Sequence, residues 1–158
     1  MCLLPLFSVG QVIINEFSAS NYSLGVGGDN EDFLELYNAD AADADIGGYF
    51  LSDDPADPEK FEIPGGTTVP AGGYLLISCS SEGEIPGNLY VGGLLNTSFK
   101  ITQTMGESIV FSNDNGSILE SYTFGTDWTP TRADHSWSRD ADGPSGNWMV
   151  CTEPTPGF

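Results

Sequence analysis

Seven acidic side chains in the first third of the chain are of the type that binds a hard cation. Calcium takes roughly six to eight oxygen ligands, commonly from carboxylates in loops between strands. No EF-hand register is present, so a calcium site here requires the fold to gather these residues. The other interpretation is a solvated acidic surface, in which Glu16 and Glu35 are buried and accept backbone N–H groups. The seven residues are Glu16, Asp29, Glu31, Asp32, Glu35, Asp53 and Asp54.

Two further acidic fragments have an alternating spacing that resembles part of a calcium loop. ADADIGG contains Asp43 and Asp45, and RDADG contains Asp140 and Asp142. Such runs also form plain turns, in which the Asp side chain accepts a hydrogen bond from its own backbone and Gly takes positive φ. Both interpretations remain open for these two fragments.

Three tryptophans in the last third of the chain could form an aromatic platform for carbohydrate. They are Trp128, Trp137 and Trp148. Exposed, coplanar rings on a β-sandwich can stack on sugar rings. Core packing is the alternative, because a Trp buries a large apolar area in a small β-domain. Exposure of the three rings distinguishes a carbohydrate-binding module from an ordinary core.

The sequence offers little for catalysis. His135 is the single histidine, and no GxSxG, HExxH or Walker pattern is present. Pairs of carboxylates occur throughout, but in so acidic a chain they arise easily without an acid–base role. We therefore expect no enzymatic activity.

The charge of the chain restricts its partners. The formal net charge is −19, from 23 acidic residues against four Lys and Arg. A phosphate backbone needs several basic contacts for affinity, so we expect no binding to nucleic acid or to anionic membranes. The charge favours cations or a basic protein as partner. The four basic residues are Lys60, Lys100, Arg132 and Arg139.

The cysteines suggest one disulfide at most. Cys2 lies in an apolar segment at the start of the sequence, which leaves Cys79 and Cys151 as a candidate pair. No CxxC spacing is present, so a zinc knuckle is not expected. Sequence does not give the distance between the two thiols, and both the disulfide and the free thiols remain open.

The segment from Asp29 to Asp54 contains two strand-like runs, DFLELYN and YFLSD, on either side of a short acidic loop. In the first run Phe33, Glu35 and Tyr37 alternate with two leucines, the period of a pleated strand. This alternation places Glu35 on the same face as two aromatic rings. A carboxylate there must reach water, a cation or hydrogen-bond donors.

Short apolar runs separated by Gly, Pro, Asn and Asp continue to the end of the chain. Asn113 to Gly116 has the NDNG sequence of a tight turn, which predicts a β-hairpin. A short strand is also expected at residues 99–101. The pattern predicts an all-β fold, a β-sandwich of roughly eight to ten short strands. The remaining predicted strands lie in QVIINEF, KFEIP, GYLLISC, HSWSR and NWMV.

The first residues differ in character from the rest. Residues 1–11, MCLLPLFSVGQ, resemble the end of a secretory signal peptide, although a first strand is the alternative. Residues 12–158 are expected to form one domain. No run approaches the ~20 apolar residues of a membrane span.

Taken together and in order, these runs resemble the lamin tail domain, an immunoglobulin-like β-sandwich. The segments that carry the resemblance are IINEF, DFLELYN, IGGYFLSDD, KFEIP, TTVPAGGYLLIS, GESIVFSNDNG, HSWSRDADG and PTPGF. The family occurs in nuclear intermediate-filament proteins and in secreted bacterial proteins. The LSDDPADPEKFEIP form and the leader-like start are similar to the bacterial branch.

The resemblance implies a non-catalytic interaction or adhesion-type module, secreted or at a bacterial cell surface. Calcium could stabilise its acidic loops, and the partner is expected to be a protein or cell surface of basic character. A carbohydrate-binding module that uses the three tryptophans is the main alternative. A nuclear scaffold domain is a further alternative.

Overall fold

The computed structural model describes residues 12–103, 106–124 and 133–157, and this part of the chain contains strands and turns but no helix. The thirteen strands are β1 Val12–Ser18, β2 Asp32–Asn38, β3 Ala44–Asp45, β4 Phe50–Ser52, β5 Phe61–Glu62, β6 Thr68–Val69, β7 Tyr74–Cys79, β8 Tyr90–Val91, β9 Leu94–Asn96, β10 Ser108–Ser112, β11 Ile118–Thr123, β12 Ser136–Arg139 and β13 Trp148–Cys151.

The strands form two main sheets and one small one. The larger sheet has the order β13-β12-β1-β2-β7-β9-β8, and the smaller has the order β11-β10-β4-β5. A two-stranded pair, β3-β6, is separate. The all-β prediction is confirmed. Four of the thirteen strands are only two residues long, and the nine longer ones agree with the expected number.

A single apolar core lies between the two main sheets. Leu34 and Leu36 contribute to it from β2, and Leu51 and Phe111 contribute from the smaller sheet. The neighbours Phe33 and Glu35 alternate with these leucines and point to the outer face of the larger sheet, as a pleated strand requires. The period-2 pattern of DFLELYN therefore predicts both faces of β2 correctly.

The predicted hairpin forms between β10 and β11. Gly116 has a φ of 77°, a conformation that residues with a Cβ rarely adopt, and its N–H donates to the carbonyl of Asn113. The short strand expected at residues 99–101 is absent. Phe99 and Ile101 lie instead in the apolar core as an irregular segment, which accounts for their apolar pattern.

The first strand, β1, contains an irregularity in its pairing with β2. β1 pairs with β2 on one side and with β12 on the other, and its register with β2 shifts between Ile14 and Glu16. This β-bulge places Glu16 directly opposite Glu35. The segment 1–11, for which we predicted a leader or a first strand, lies outside the described residues.

Candidate functional site

The seven carboxylates that the sequence suggested for calcium separate into two groups. Asp32 and Glu35 are three residues apart on β2, so their side chains leave opposite faces of the sheet. Glu16 faces Glu35 across the strand pair and joins it on the outer face. The remaining five acids lie at the start of β2 and in the loops before β2 and after β4. The fold thus brings together two of the seven as one pair and distributes the others.

Near the start of β2 and after β4, two of the acids form ion pairs with lysines. The Asp53 carboxylate lies 2.5 Å from the Lys60 ammonium, and the Glu31 carboxylate lies 3.7 Å from the Lys100 ammonium. Asp32 accepts a hydrogen bond from the backbone of Asn21 at 3.5 Å. Burial raises the pKa of Asp32 to about 6. We name the three carboxylates Glu31, Asp32 and Asp53 the acidic end.

The other two proposed ligands have local roles. Asp29 forms an isolated β-bridge with Val26 in the Gly-rich loop and is exposed. Asp54 accepts the N–H of Ala56 at 2.8 Å and so closes the turn after β4. Within the described residues, no group of three or more His, Cys, Asp or Glu is arranged to hold a metal ion. Calcium binding by these carboxylates stays a prediction from the sequence.

The first alternating acidic fragment includes strand β3 and the turn after it, and the second lies in the connection between β12 and β13. Asp43 accepts the N–H of Ala71 at 2.9 Å, and Asp45 accepts the N–H of Gly47 at 2.9 Å. Asp140 accepts the N–H of Asn147 at 2.8 Å, and this hydrogen bond lowers the pKa of its carboxyl. Three of these four Asp residues therefore accept backbone N–H groups. Asp45 does so in its own turn, as the turn interpretation predicts, whereas Asp43 contacts a loop 28 residues away.

The outer-face pair, Glu16 and Glu35, is the most unusual feature of the molecule. Both side chains are buried, at 2% and 0% exposure, although they carry the same formal charge. Burial raises the pKa of Glu35 to about 7, and the nearby Glu16 and Asp142 carboxylates add to this effect. Burial also raises the pKa of Glu16. The pair therefore holds a proton more readily than exposed carboxyls do.

The segment before the end of the chain crosses over this pair and supplies hydrogen-bond donors. Gly157 donates its N–H to the Glu35 carboxylate at 2.6 Å. Thr155 donates its N–H to the Glu16 carboxylate at 3.3 Å, and the Ser136 hydroxyl also donates to Glu16. We name residues 155–157 the strap. The two glutamates therefore anchor the strap to the sheet, the buried-acceptor role that was the alternative to calcium.

A third carboxylate extends the network away from the strap. The side-chain amide of Asn15 donates both to Glu35 at 3.0 Å and to Asp142 at 3.2 Å. The Tyr74 hydroxyl donates to Asp142 at 2.7 Å. The amide oxygen of Asn15 is buried and has no hydrogen-bond partner among the residues that the structure describes. Rotation of this amide would offer that oxygen to a protonated Glu35, which gives the proton a defined acceptor.

A second polar cluster, which sequence reasoning missed, contacts β1 at Ile14. The β1–β12 register covers Glu16 and Phe17 only, so the backbone groups of Ile14 that face away from β2 need other partners. Glu120 of β11 accepts the Ile14 N–H at 2.7 Å, and Arg139 of β12 donates to the Ile14 carbonyl at 2.9 Å. Glu120 and Arg139 also form an ion pair with each other. This Glu120–Arg139 clamp joins the two sheets, and no spacing in the sequence marks it.

The tryptophans that suggested sugar binding are partly buried where the structure describes them. Trp148 packs against Phe17 and Tyr122 at ring-centroid distances of 5.4 and 4.6 Å, with the Arg139 guanidinium 4.8 Å from its ring. Trp137 lies 6.0 Å from the Tyr122 ring. Trp128 lies outside the described residues. The two described rings pack against the apolar core and do not form an open platform.

The disulfide that the sequence left open between Cys79 and Cys151 is not formed, and both thiols are free. Cys79 is on β7 and Cys151 is on β13, four strand positions apart in the larger sheet. At about 4.8 Å per strand the separation is roughly 19 Å, far beyond the reach of a disulfide. Sequence could not reveal this, because the strand order follows from long-range pairing.

The two thiols should differ strongly in reactivity. Cys79 is buried, and burial, with smaller contributions from the acidic end, raises the pKa of its thiol. Cys151 is half-buried. In a Cys2→Ser variant, we expect Ellman's reagent to label one thiol in the native protein and the second only after unfolding in urea. Mass spectrometry of the labelled peptides identifies each site, and native labelling of Cys79 would contradict the prediction.

Comparison with known proteins decides the family. The model of the family described as Lamin Tail Domain matches residues 6–126, more than half of the chain. The chain belongs to the lamin tail domain family. Searches of curated proteins and of solved structures give no match. The lamin tail match ends before β12 and β13, yet both strands pair into the same sheet as β1 and so complete the described fold.

The family assignment agrees with the architecture. A lamin tail domain is an immunoglobulin-like β-sandwich, and the two packed sheets have this form. The described residues contain no helix long and apolar enough to cross a membrane. The lone His135 contacts the carbonyl of Ala133 at 3.0 Å in an exposed turn.

Proposed function

We propose that this lamin tail domain is a non-catalytic interaction module that binds a basic protein partner. The proposal places it outside the cell, secreted or at a bacterial cell surface. Support for that location comes from the leader-like pattern of residues 1–11 and from the LSDDPADPEKFEIP sequence, which resembles the bacterial branch of the family.

One observation carries the choice of a basic partner. Three of the four basic side chains form ion pairs within the fold, and the fourth, Arg132, lies outside the described residues. With 23 acidic residues in the chain, the surface that remains is strongly negative. Such a surface attracts a positively charged partner and repels anionic ones. The three pairs are Lys60–Asp53, Lys100–Glu31 and Arg139–Glu120.

The alternatives have weaker support. A carbohydrate-binding module needs exposed, roughly coplanar rings, and Trp137 and Trp148 are half-buried against the core. Calcium is not included in the proposal because the seven candidate ligands do not form one group. A nuclear scaffold role that depends on DNA contact is opposed by the net charge of −19.

Selection from a random displayed-peptide library at physiological salt tests the proposal. We expect enriched sequences to carry an excess of Lys and Arg, and we expect their affinity to fall as salt rises, since screening weakens surface electrostatics. Parallel selection on a β-sandwich of near-neutral charge serves as the control. Enrichment of neutral or acidic sequences, or no enrichment, would contradict the proposal.

A further inference from the structure

The smaller sheet ends in a long edge strand that carries no Lys or Pro, and its protective features are the inward-pointing Glu120 and a bulge in its pairing with β10. β11 pairs with β10 on one side, and no described strand lies on its other side. It is six residues long, whereas the terminal strands β5 and β8 are two residues long and β13 is four. Natural edge strands commonly carry Lys or Pro, or are kept short, which prevents pairing with other chains. The β11 sequence, ILESYT, contains neither residue.

One face of β11 packs against the rest of the domain, and the other face is exposed. Glu120 and Tyr122 point inward, to the clamp on Ile14 and to the Trp148 ring. Leu119, at 49% exposure, and the exposed Ser121 and Thr123 point outward. A strand fixed by its inward contacts loses little further entropy when a peptide pairs with it.

The backbone of the same outward residues faces the free edge. Phe124 donates its N–H to the Glu107 carbonyl on the β10 side. Because hydrogen-bonded and non-hydrogen-bonded pairs alternate in an antiparallel ladder, Tyr122 and Glu120 also bond toward β10. The N–H and C=O groups of Ser121 and Thr123 therefore point away from β10, where an added strand can pair with them.

The charge of the chain decides between two occupants of this edge. A second copy of the chain would bring another net charge of −19 against the first, which opposes pairing of two β11 strands. A basic segment is attracted instead. An exposed acidic side chain, Asp114, lies in the turn before the strand, and Glu107, whose carboxylate accepts the Thr102 hydroxyl, lies on the β10 side at the other end.

We propose that the free edge of β11 binds an extended, basic segment of a partner protein as an additional strand. Main-chain hydrogen bonds supply affinity in this mode, and alternate side chains supply specificity. Apolar side chains of the segment would contact Leu119 and Ile118, and its Lys or Arg side chains would face Asp114. The inference rests on the proposed function, because it names the surface that the basic partner uses.

The probe is a peptide of alternating Lys and Val, compared with the same peptide N-methylated at alternate backbone nitrogens. The second keeps the charge and loses the N–H groups that pair with an edge. Isothermal titration at physiological salt measures both affinities. We expect the N-methylated peptide to bind at least about tenfold more weakly, a difference that main-chain pairing accounts for.

Variants of Ser121 test the site itself. Ser121→Pro removes an N–H that faces away from β10, so the hairpin should persist, as circular dichroism can verify. Ser121→Lys adds a repulsive charge at the edge, and Ser145→Lys adds the same charge in an exposed turn of the other sheet. We expect the two Ser121 variants to weaken peptide binding about tenfold, and Ser145→Lys to change it less than about twofold.

The outcomes separate the two proposals. Equal binding of both peptides, or unchanged binding to Ser121→Pro, would overturn the edge-strand inference while the basic-partner proposal stands. Failure of both peptides together with failure of the library selection would overturn the proposed function. A dimer in sedimentation that Ser121→Pro dissociates would assign the edge to a second copy and so overturn the choice of a basic segment.

Discussion

Replacing Arg139 with methionine is expected to lower the free energy of unfolding by about 3 to 5 kcal/mol. The Arg139 side chain is only 8% exposed, and it contacts Glu120, the carbonyls of Ile14 and Gly146, and the Trp148 ring. Methionine fills much of the volume but leaves Glu120, whose side chain is 21% exposed, as a partly buried carboxylate without its cation. Removal of one partner from a buried pair costs more than the pair itself contributes.

Urea denaturation followed by tryptophan fluorescence measures this effect. Lys100→Met is the matched control, because its 3.7 Å pair with Glu31 is largely exposed and should contribute less than about 1 kcal/mol. The double variant Arg139→Met with Glu120→Gln removes the uncompensated charge and should recover part of the loss. A cost for Arg139→Met no larger than that for Lys100→Met would show that the clamp does not join the sheets.

Wild-type protein should become less stable as the pH rises from 5 to 8, and Glu35→Gln should remove most of that dependence. The pKa of Glu35 is raised from 4.5 to about 7 in the folded state. A raised carboxyl pKa contributes stability that is present below pH 4.5 and is lost as the pH rises through about 7. Over pH 5 to 8 this single group accounts for about 2 to 3 kcal/mol.

The groups that face Glu35 do not reverse the expected fall in stability with rising pH. Glu16 and Asp142 are acidic, Asn15 and Gly157 donate hydrogen bonds, and no described base contacts the carboxylate. Glutamine keeps the size of the side chain and has no proton to lose. Urea denaturation at pH 5 and pH 8 measures the dependence for both proteins. Glu62→Gln, an exposed glutamate on β5, is the control and should keep the wild-type slope.

If Glu35→Gln and wild type show the same change between pH 5 and pH 8, the strap is not held by a protonated carboxyl. A remaining slope of smaller size is expected from Asp32, since burial raises its pKa to about 6 and gives the same sign. That residue lies on the other face of β2, so Asp32→Asn and Glu35→Gln should have additive effects.

The local pattern of the sequence predicts the strands and their faces well. The alternation in DFLELYN correctly places Leu34 and Leu36 in the core and Glu35 on the opposite face. The NDNG turn correctly predicts the β10–β11 hairpin. The same alternation also argues against a common calcium site for Asp32 and Glu35, because an odd separation on one strand directs the two side chains apart.

Long-range features could not be predicted in this way. The absence of a Cys79–Cys151 disulfide follows from the strand order, which no local motif encodes. The clamp depends on where the β1–β12 pairing ends, which no local motif marks, and on a contact across 106 residues of sequence between Ile14 and Glu120. Phe99 and Ile101 have an apolar spacing that suits a strand, but they pack as irregular backbone.

The position of β12 beside β1 has a consequence for the order of folding. The Ser136 hydroxyl and the Glu16 carboxylate that it contacts are 120 residues apart. Closure of so long a loop is entropically costly, and a high contact order slows folding. During synthesis, β12, the second neighbour of β1, is made only after nearly all of the other strands. The outer edge of β1 is therefore exposed on the nascent chain, and premature release from the ribosome would leave it open to aggregation.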